Sequence, residues 1–355
     1  MKKDDEQLKK KLDYINSYEN SINIMEVCGT HTVAISKFGF REVLNKNINL
    51  ITGPGCPVCV TPAVFIDYIY KLSLNTDIII ATYGDMIRVP GSKPSISLEN
   101  AKAMGAEIKI VYSSMDALKL AMENKNKKVV FLGIGFETTT PATAIAVKEA
   151  LKLKVENFYV FSMHKIMEPA MRALLEDESI KIDAFLCPGH VATVLGKKGF
   201  EFLQEYNCLG VIAGFSEEDI INGLYEIIDS TMKKDFDTKN AYKRVVEDDG
   251  NLLSREIINE VFTVKDDYWR GLGKIPNSGL GLKEKYNRFD IEQLYPLDIK
   301  DEDTYNGCQC GEVLKGKMKP NECKLFGTVC SPENPVGPCM VSGEGGCAAY
   351  YRYHL

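Results

Sequence analysis

Between residues 22 and 213 one pattern keeps returning: a short apolar run ends at a turn of Gly, Pro or polar residues, and a stretch with helical spacing follows. The runs at 22–27, 49–52, 78–81, 108–112, 129–133, 158–161, 184–186 and 209–213 are short and rich in Ile, Val and Phe, so they read as strands. Segments from Thr32 and over 62–72, 115–123 and 138–151 read as helices. Short strands alternating with helices predict parallel α/β sheets, whose strands are buried on both faces and so lack polar alternation. The expectation is two Rossmann-like parallel-sheet α/β domains, residues 21–127 and 128–229, parted at the lysine-rich stretch 123–128.

Beyond residue 229 the character changes. Residues 231–251 read as charged helix, and 264–300 hold the single Trp, Trp269, in a Gly-rich setting. The tail is rich in turns and cysteine. Residues 230–355, taken with a polar N-terminal helix over 1–20, form the expected third domain, mainly helical and loop. Its thin apolar content predicts closure by a metal centre.

Charge narrows the partners. Lys and Arg number 43 and Asp and Glu 49, a net −6, so no basic excess favours nucleic acid or an anionic membrane. No apolar run approaches the roughly 20 residues of a transmembrane helix. Residues 1–6 lack the apolar stretch of a secretory signal, and the expected location is the cytoplasm. Eleven cysteines in a reducing compartment point to metal ligation or redox chemistry rather than permanent disulfides.

Three motifs and two histidine turns fall at predicted strand ends. Cys28-Gly29-Thr30-His31-Thr32 offers a lone exposed thiolate, with His31 able to orient, deprotonate or co-ligate beside it. Gly53-Pro54-Gly55 leads into Cys56-Pro57-Val58-Cys59, whose spacing allows a reversible disulfide or half of a metal site; a following helix N-terminus would lower its thiol pKa. Gly135-Phe136-Glu137-Thr138-Thr139-Thr140-Pro141 has neither the glycines nor the Lys of a phosphate loop, and reads as helix caps or a polar pocket. His164 and His190 fall at similar turns, where a structural role is the simpler reading. Strand ends of doubly wound sheets form the ligand crevice, so these turns are expected to face one cleft.

The densest signal is the tail. Cys308, Cys310, Cys323, Cys330, Cys339 and Cys347 lie within 40 residues, without the paired knuckles of a zinc ribbon. Their long, uneven gaps suit a 4Fe–4S cluster better than zinc or disulfides.

On these residues the chain resembles the HypD family of nickel–iron hydrogenase maturation proteins. The resemblance rests on the Cys28–Thr32, Gly53–Cys59 and Phe136–Pro141 motifs. It extends to Cys323-Lys324-Leu325-Phe326-Gly327-Thr328, Pro335-Val336-Gly337-Pro338-Cys339 and Gly346-Cys347-Ala348-Ala349-Tyr350-Tyr351. It implies two α/β domains and a cluster-bearing domain around a central cleft. It further implies a scaffold that, with the small chaperone HypC, assembles Fe(CN)2CO. Cyanide then comes from HypE, with HypF upstream, and the finished unit passes to the hydrogenase large subunit.

In that light Cys28 is the iron ligand, shared with a cysteine of HypC, since such iron wants a soft thiolate donor. Cys56 and Cys59 are the dithiol that supplies two electrons for cyanide release. By likeness to ferredoxin–thioredoxin reductase, Cys308, Cys323, Cys330 and Cys347 ligate the cluster, and Cys310 and Cys339 form a redox pair beside it. A cluster-dependent thiol–disulfide oxidoreductase without the iron is the alternative, and a small-molecule transferase or a structural zinc protein are more distant rivals. An assembly scaffold of this kind is not a conventional multiple-turnover enzyme.

Overall fold

The computed structural model describes residues 2–298 and 307–354. It contains two parallel sheets and an antiparallel hairpin. The first sheet has the order β2-β1-β7-β8-β9, from β1 (Ile22–Glu26), β2 (Ile48–Thr52), β7 (Ala184–Pro188), β8 (Leu209–Ala213) and β9 (Lys239–Asn240). The second has the order β4-β3-β5-β6, from β3 (Ile78–Thr82), β4 (Glu107–Ile110), β5 (Lys128–Gly135) and β6 (Phe158–His164). The hairpin pairs β10 (Phe262–Trp269) with β11 (Gly273–Leu282). β3, β7 and β8 are buried at every position, as expected for strands covered by helices on both faces.

The two-sheet α/β architecture is the predicted one, but the strands are shared out differently. The expected boundary at 127/128 falls between hydrogen-bonded neighbours, since β3 pairs with β5 over Ile78↔Lys128 to Ala81↔Phe131. The lysine-rich stretch is only the turn from the helix Ser114–Glu123 into β5. After β2 the chain leaves the first sheet, builds the whole second sheet, and returns with β7 beside β1. The first sheet is therefore discontinuous in sequence, which no local signal records.

Two further expectations fail. The helix Lys2–Asn16 does not join the Cys-rich region. It packs on the helix Glu217–Lys233, with the Tyr14 and Tyr225 rings 5.0 Å apart and the Tyr14 hydroxyl donating to Asp229 at 3.1 Å. Residues 231–251 are not one helix: the helix ends at Lys233, β9 and turns follow, and the next helix is Leu252–Val261. Charge alone mimicked a solvated helix there. The β10–β11 hairpin was hidden by its Gly-rich, uneven pattern and by a bulge between Lys265 and Asp267.

One apolar cluster runs between the sheets. It includes Met25, Phe65, Leu132, Phe161, Phe185 and Trp269, and takes in the sulfurs of Cys56, Cys59, Cys310 and Cys339. Two further clusters cover the outer faces. The helix after β8 starts at a reciprocal cap, Ser216 accepting from the Asp219 amide and Asp219 from the Ser216 amide. Among the described residues, no helix is long and apolar enough to cross a membrane.

Candidate functional site

The strand orders locate the site. In each sheet the order reverses direction at one point, between β1 and β7 in the first and between β3 and β5 in the second. Ligands bind such sheets outside the carboxyl ends of strands at these switch points. Here the two switch points share one cleft of about 290 Å³. Cys28 follows β1, Gly55, Pro57 and Val58 follow β2, and Tyr83 and Asp85 follow β3. Gly135, Phe136, Thr138 and Thr139 close β5, and Pro188 and His190 close β7. Ser342 and Glu344 arrive from the tail.

Cys28 is the N-cap residue of the helix Gly29–Lys37, three residues earlier than the helix start read from the sequence. The Cys56 turn is pressed against it. Gly29 N–H donates to the Gly55 carbonyl at 3.1 Å, and a Cβ on Gly55 would collide with the Cys28 backbone. Cys28 is not the exposed thiolate expected. It is 7% exposed, and burial pushes its thiol up to about 11 despite the His31 and Thr30 amides near it. The thiol is therefore protonated at neutral pH.

His31 is fully buried and faces away from the cleft's lining. Its Nε2 lies 2.9 Å from the Gly214 carbonyl and 3.2 Å from that of Ala213, so Nε2 carries the proton and donates. Burial lowers its pKa to about 4, leaving it neutral. Through these bonds it ties the Cys28 helix to the end of β8, while its Nδ1 is buried without a partner. Phe215 lies between the two histidines, its ring tilted against His31 at 4.7 Å and stacked on His190 at 4.1 Å. His190 is the histidine that reaches the cleft. His164 does not: it is buried, 3.0 Å from the Thr143 hydroxyl, and neutral.

Cys56 and Cys59 form a disulfide with Cα atoms 5.2 Å apart. Its sulfurs lie in the core behind Pro57 and Val58. The next helix begins only at Ala63, so the pair is not its cap. In the threonine-rich turn the Thr139 and Thr140 hydroxyls donate back to the Phe136 carbonyl at 3.2 and 2.9 Å, so they bond to the preceding turn and do not make the expected caps to the helix amides. Thr138 lines the cleft.

Glu137 turns the other way. One carboxylate oxygen accepts from the Met167 amide at 2.9 Å, and the other is buried without a partner. Burial raises its pKa to about 7. Between the ordinary value of 4.5 and 7 the folded chain keeps a proton that the unfolded chain has lost, so stability falls as pH rises through this window. Glu137→Gln is expected to flatten that fall, read from urea midpoints at about pH 5 and pH 7.5. An unchanged slope would contradict it.

The tail reaches over both sheets. Thr30 donates to Glu344 at 2.7 Å, Ser342 to Asp85 at 2.9 Å, and Arg88 to the Glu333 carbonyl at 2.9 Å. Sequence reasoning missed Asp85, Ser342 and Glu344. The last two stand between Cys339 and Cys347, where attention to sulfur hid them.

Beneath this strap Cys308, Cys310, Cys323, Cys330 and Cys347 line one small cavity with Val313, Leu325, Phe326, Val336 and Met340. Burial, then the neighbouring Cys310, Cys308, Cys330 and Cys323, push Cys347 well above its ordinary value. Cys339 lies outside that lining, buried in the core against Cys310. Cys310 and Cys339 are free thiols here. Among the described residues no three ligating side chains close on a single metal-ion position. Thiols spread around an apolar cavity could hold a polynuclear cluster, and Cys308, Cys323, Cys330 and Cys347, the expected ligands, are among the five that line it.

Comparison with known proteins agrees over the whole length. The HypD profile, described as "Hydrogenase formation hypA family", matches residues 4–354. The chain is 46% identical over 340 residues to the hydrogenase maturation factor HypD of Escherichia coli, covering 94% of this chain and 90% of that protein. It is 45% identical over 337 residues to HypD2 of Bradyrhizobium diazoefficiens, covering 93% and 88%. It is 42% identical over 350 residues to a putative hydrogenase expression/formation protein of Methanocaldococcus jannaschii, covering 98% and 97%.

Proposed function

Because the chain belongs to the HypD family and is a hydrogenase maturation factor, we propose that its cleft is the scaffold on which the Fe(CN)2CO unit of a nickel–iron hydrogenase is built. The observation that carries this is Cys28, a single thiol at the switch point of one sheet, facing the switch point of the other. Low-spin iron bearing cyanide and CO takes a soft thiolate. Iron is the cargo here: it enters, gains ligands and leaves.

Iron binding must expel the Cys28 proton, and a metal does this because a coordinating thiol is deprotonated. The acceptors facing the cleft include the Asp85 and Glu344 carboxylates and the His190 imidazole. Burial keeps His190 below its ordinary pKa, hence neutral and able to take a proton at pH 7. His31 fixes the helix on which Cys28 rides. One protein thiolate leaves other iron positions for incoming ligands and for a cysteine of the partner HypC.

Release of cyanide from a thiocyanate sulfur, delivered by HypE after HypF chemistry, takes two electrons and yields a thiolate and cyanide. Closure of the Cys56–Cys59 dithiol supplies those electrons and gives up two protons. A 4Fe–4S cluster in the Cys308 cavity supplies electrons one at a time when bound. Cys310, touching both Cys308 and Cys339, stands at the inner wall of that cavity. The finished unit then passes to the hydrogenase large subunit, in the cytoplasm.

The test is maturation in cells that lack their own factor. Cys28→Ala is expected to give no active hydrogenase. Cys187→Ala, a buried free thiol on β7 outside the cleft, is expected to give near-normal activity. Full activity with Cys28→Ala would end this reading.

A further inference from the structure

The turn after β5 is a wall with two sides. Phe136, Thr138 and Thr139 line the cleft beside Cys28. Glu137, between them in the chain, lines a second cavity of about 600 Å³, within the size range of sites for small organic ligands. Its apolar walls come from distant parts of the chain. Val194 and Leu195 end the helix Gly189–Leu195, Ile258 stands on the helix Leu252–Val261, and Val264 and Leu280 are cross-strand partners in the β10–β11 hairpin. Two of the apolar lining residues, Leu252 and Val264, remain 58% and 51% exposed. Apolar surface left exposed around a concavity marks a binding site.

The other charged groups at this cavity are already engaged. Lys198 pairs with Asp249 at 2.6 Å, Arg255 donates to the Asp249 carbonyl at 3.2 Å, and Glu168 accepts from Arg172 at 2.9 Å. Glu137 differs from them. It is 5% exposed; one carboxylate oxygen is spent on the Met167 amide, and the other, out of contact with water, has no hydrogen-bond partner. Burying a carboxylate oxygen without a partner is costly, so the retained group needs a use. An apolar side chain would close the wall without that cost. A bare metal ion is a poor occupant, since one carboxylate among aliphatic walls supplies too few oxygens for calcium or magnesium. A positively charged hydrogen-bond donor on an apolar body meets both the carboxylate and the walls.

We propose that this cavity is a second ligand site, separate from the cleft, that takes a small primary amine: its apolar body lies against Val194, Leu195, Val264 and Leu280, and its ammonium group is held by Glu137. The site makes no use of the cysteines, so it stands or falls apart from the iron chemistry of the cleft.

The experiment is a calorimetric titration of the full-length protein at about pH 8, above the value of about 7 to which burial raises Glu137, so the carboxylate is charged while an alkylammonium keeps its proton. The probes are tryptamine and hexylamine, each beside the neutral alcohol of the same skeleton, tryptophol and 1-hexanol. At least one amine is expected to bind with a Kd below about 1 mM, and its alcohol about tenfold or more weakly. Glu137→Gln keeps a carbonyl oxygen for the Met167 amide and removes the charge. It should weaken the amine about tenfold and leave the alcohol within about twofold. Val264→Trp, at a half-exposed position, fills the cavity from its edge and should weaken amine and alcohol alike. Absence of saturable binding by both amines overturns the proposal. So does an amine affinity that Val264→Trp leaves unchanged, which would place the amine elsewhere, or one that Glu137→Gln leaves within about twofold of the parent.

Discussion

Cys347→Ala is expected to remove the iron–sulfur chromophore altogether. Iron and sulfide in anaerobically purified protein should fall from about four of each per chain to near none. Cys347 lies in the first turn of the helix Gly346–Tyr353, and Cys308, Cys310, Cys323 and Cys330 all act on its thiol. Cys330→Ala should behave alike, because its sulfur, taken up by the Val336 amide at 3.4 Å, sits in a tight Leu325–Cys330 turn that no side chain can replace. The C-terminal strap should loosen in both variants and become protease-sensitive, since metal binding and folding are linked. Cys208→Ala, remote from the cavity, should keep full iron and sulfide. Retention of iron and sulfide in both ligand variants would refute the ligand set.

Cys56→Ser and Cys59→Ser form the second large effect. Either leaves a single thiol that cannot close on its partner, so two-electron delivery is lost while the turn, anchored by Gly55 and by the Arg270 bonds to the Val60 and Thr61 carbonyls, persists. Maturation should fall at least a hundredfold, about the scale of removing one member of a unit that acts together. Recruitment of HypC should stay within twofold of the parent, because the sulfurs lie behind Pro57 and Val58 rather than on the cleft surface. Near-normal maturation in both variants would remove the dithiol from the mechanism.

Much of this site was legible in the chain. All eight strand runs between residues 22 and 213 form strands, most of them, such as β3, β7 and β8, because strands buried on both faces read as unbroken apolar runs. The helices at 62–72, 115–123 and 138–151 appear within two residues, marked by the Ser113 cap and Pro141. The convergence of Cys28, the Cys56 turn and the threonine turn on one cleft followed from strand ends alone. What failed was long-range. The return of β7 to β1 separates by more than a hundred residues what the sheet places side by side, and no local pattern encodes it. The state of Cys28 and His31 was misjudged for the same reason. Their burial comes from Gly55, β8 and Glu344, each distant in sequence. The cavity at Glu137 carried no motif, because its walls come from residues spread between 137 and 280 and meet only in the fold.

The central claim is that Cys28 holds the iron while its diatomic ligands are added. The direct measurement is the infrared spectrum of the complex with HypC, purified anaerobically from cells that supply HypE and HypF, for the parent chain and for Cys28→Ser. The parent complex should show cyanide and CO stretching bands together with bound iron beyond that of the cluster. The Cys28→Ser complex should form with its cluster intact and show neither band. A Cys28→Ser complex with the full set of bands would contradict the account and leave a thiol–disulfide oxidoreductase as the better description of the cleft.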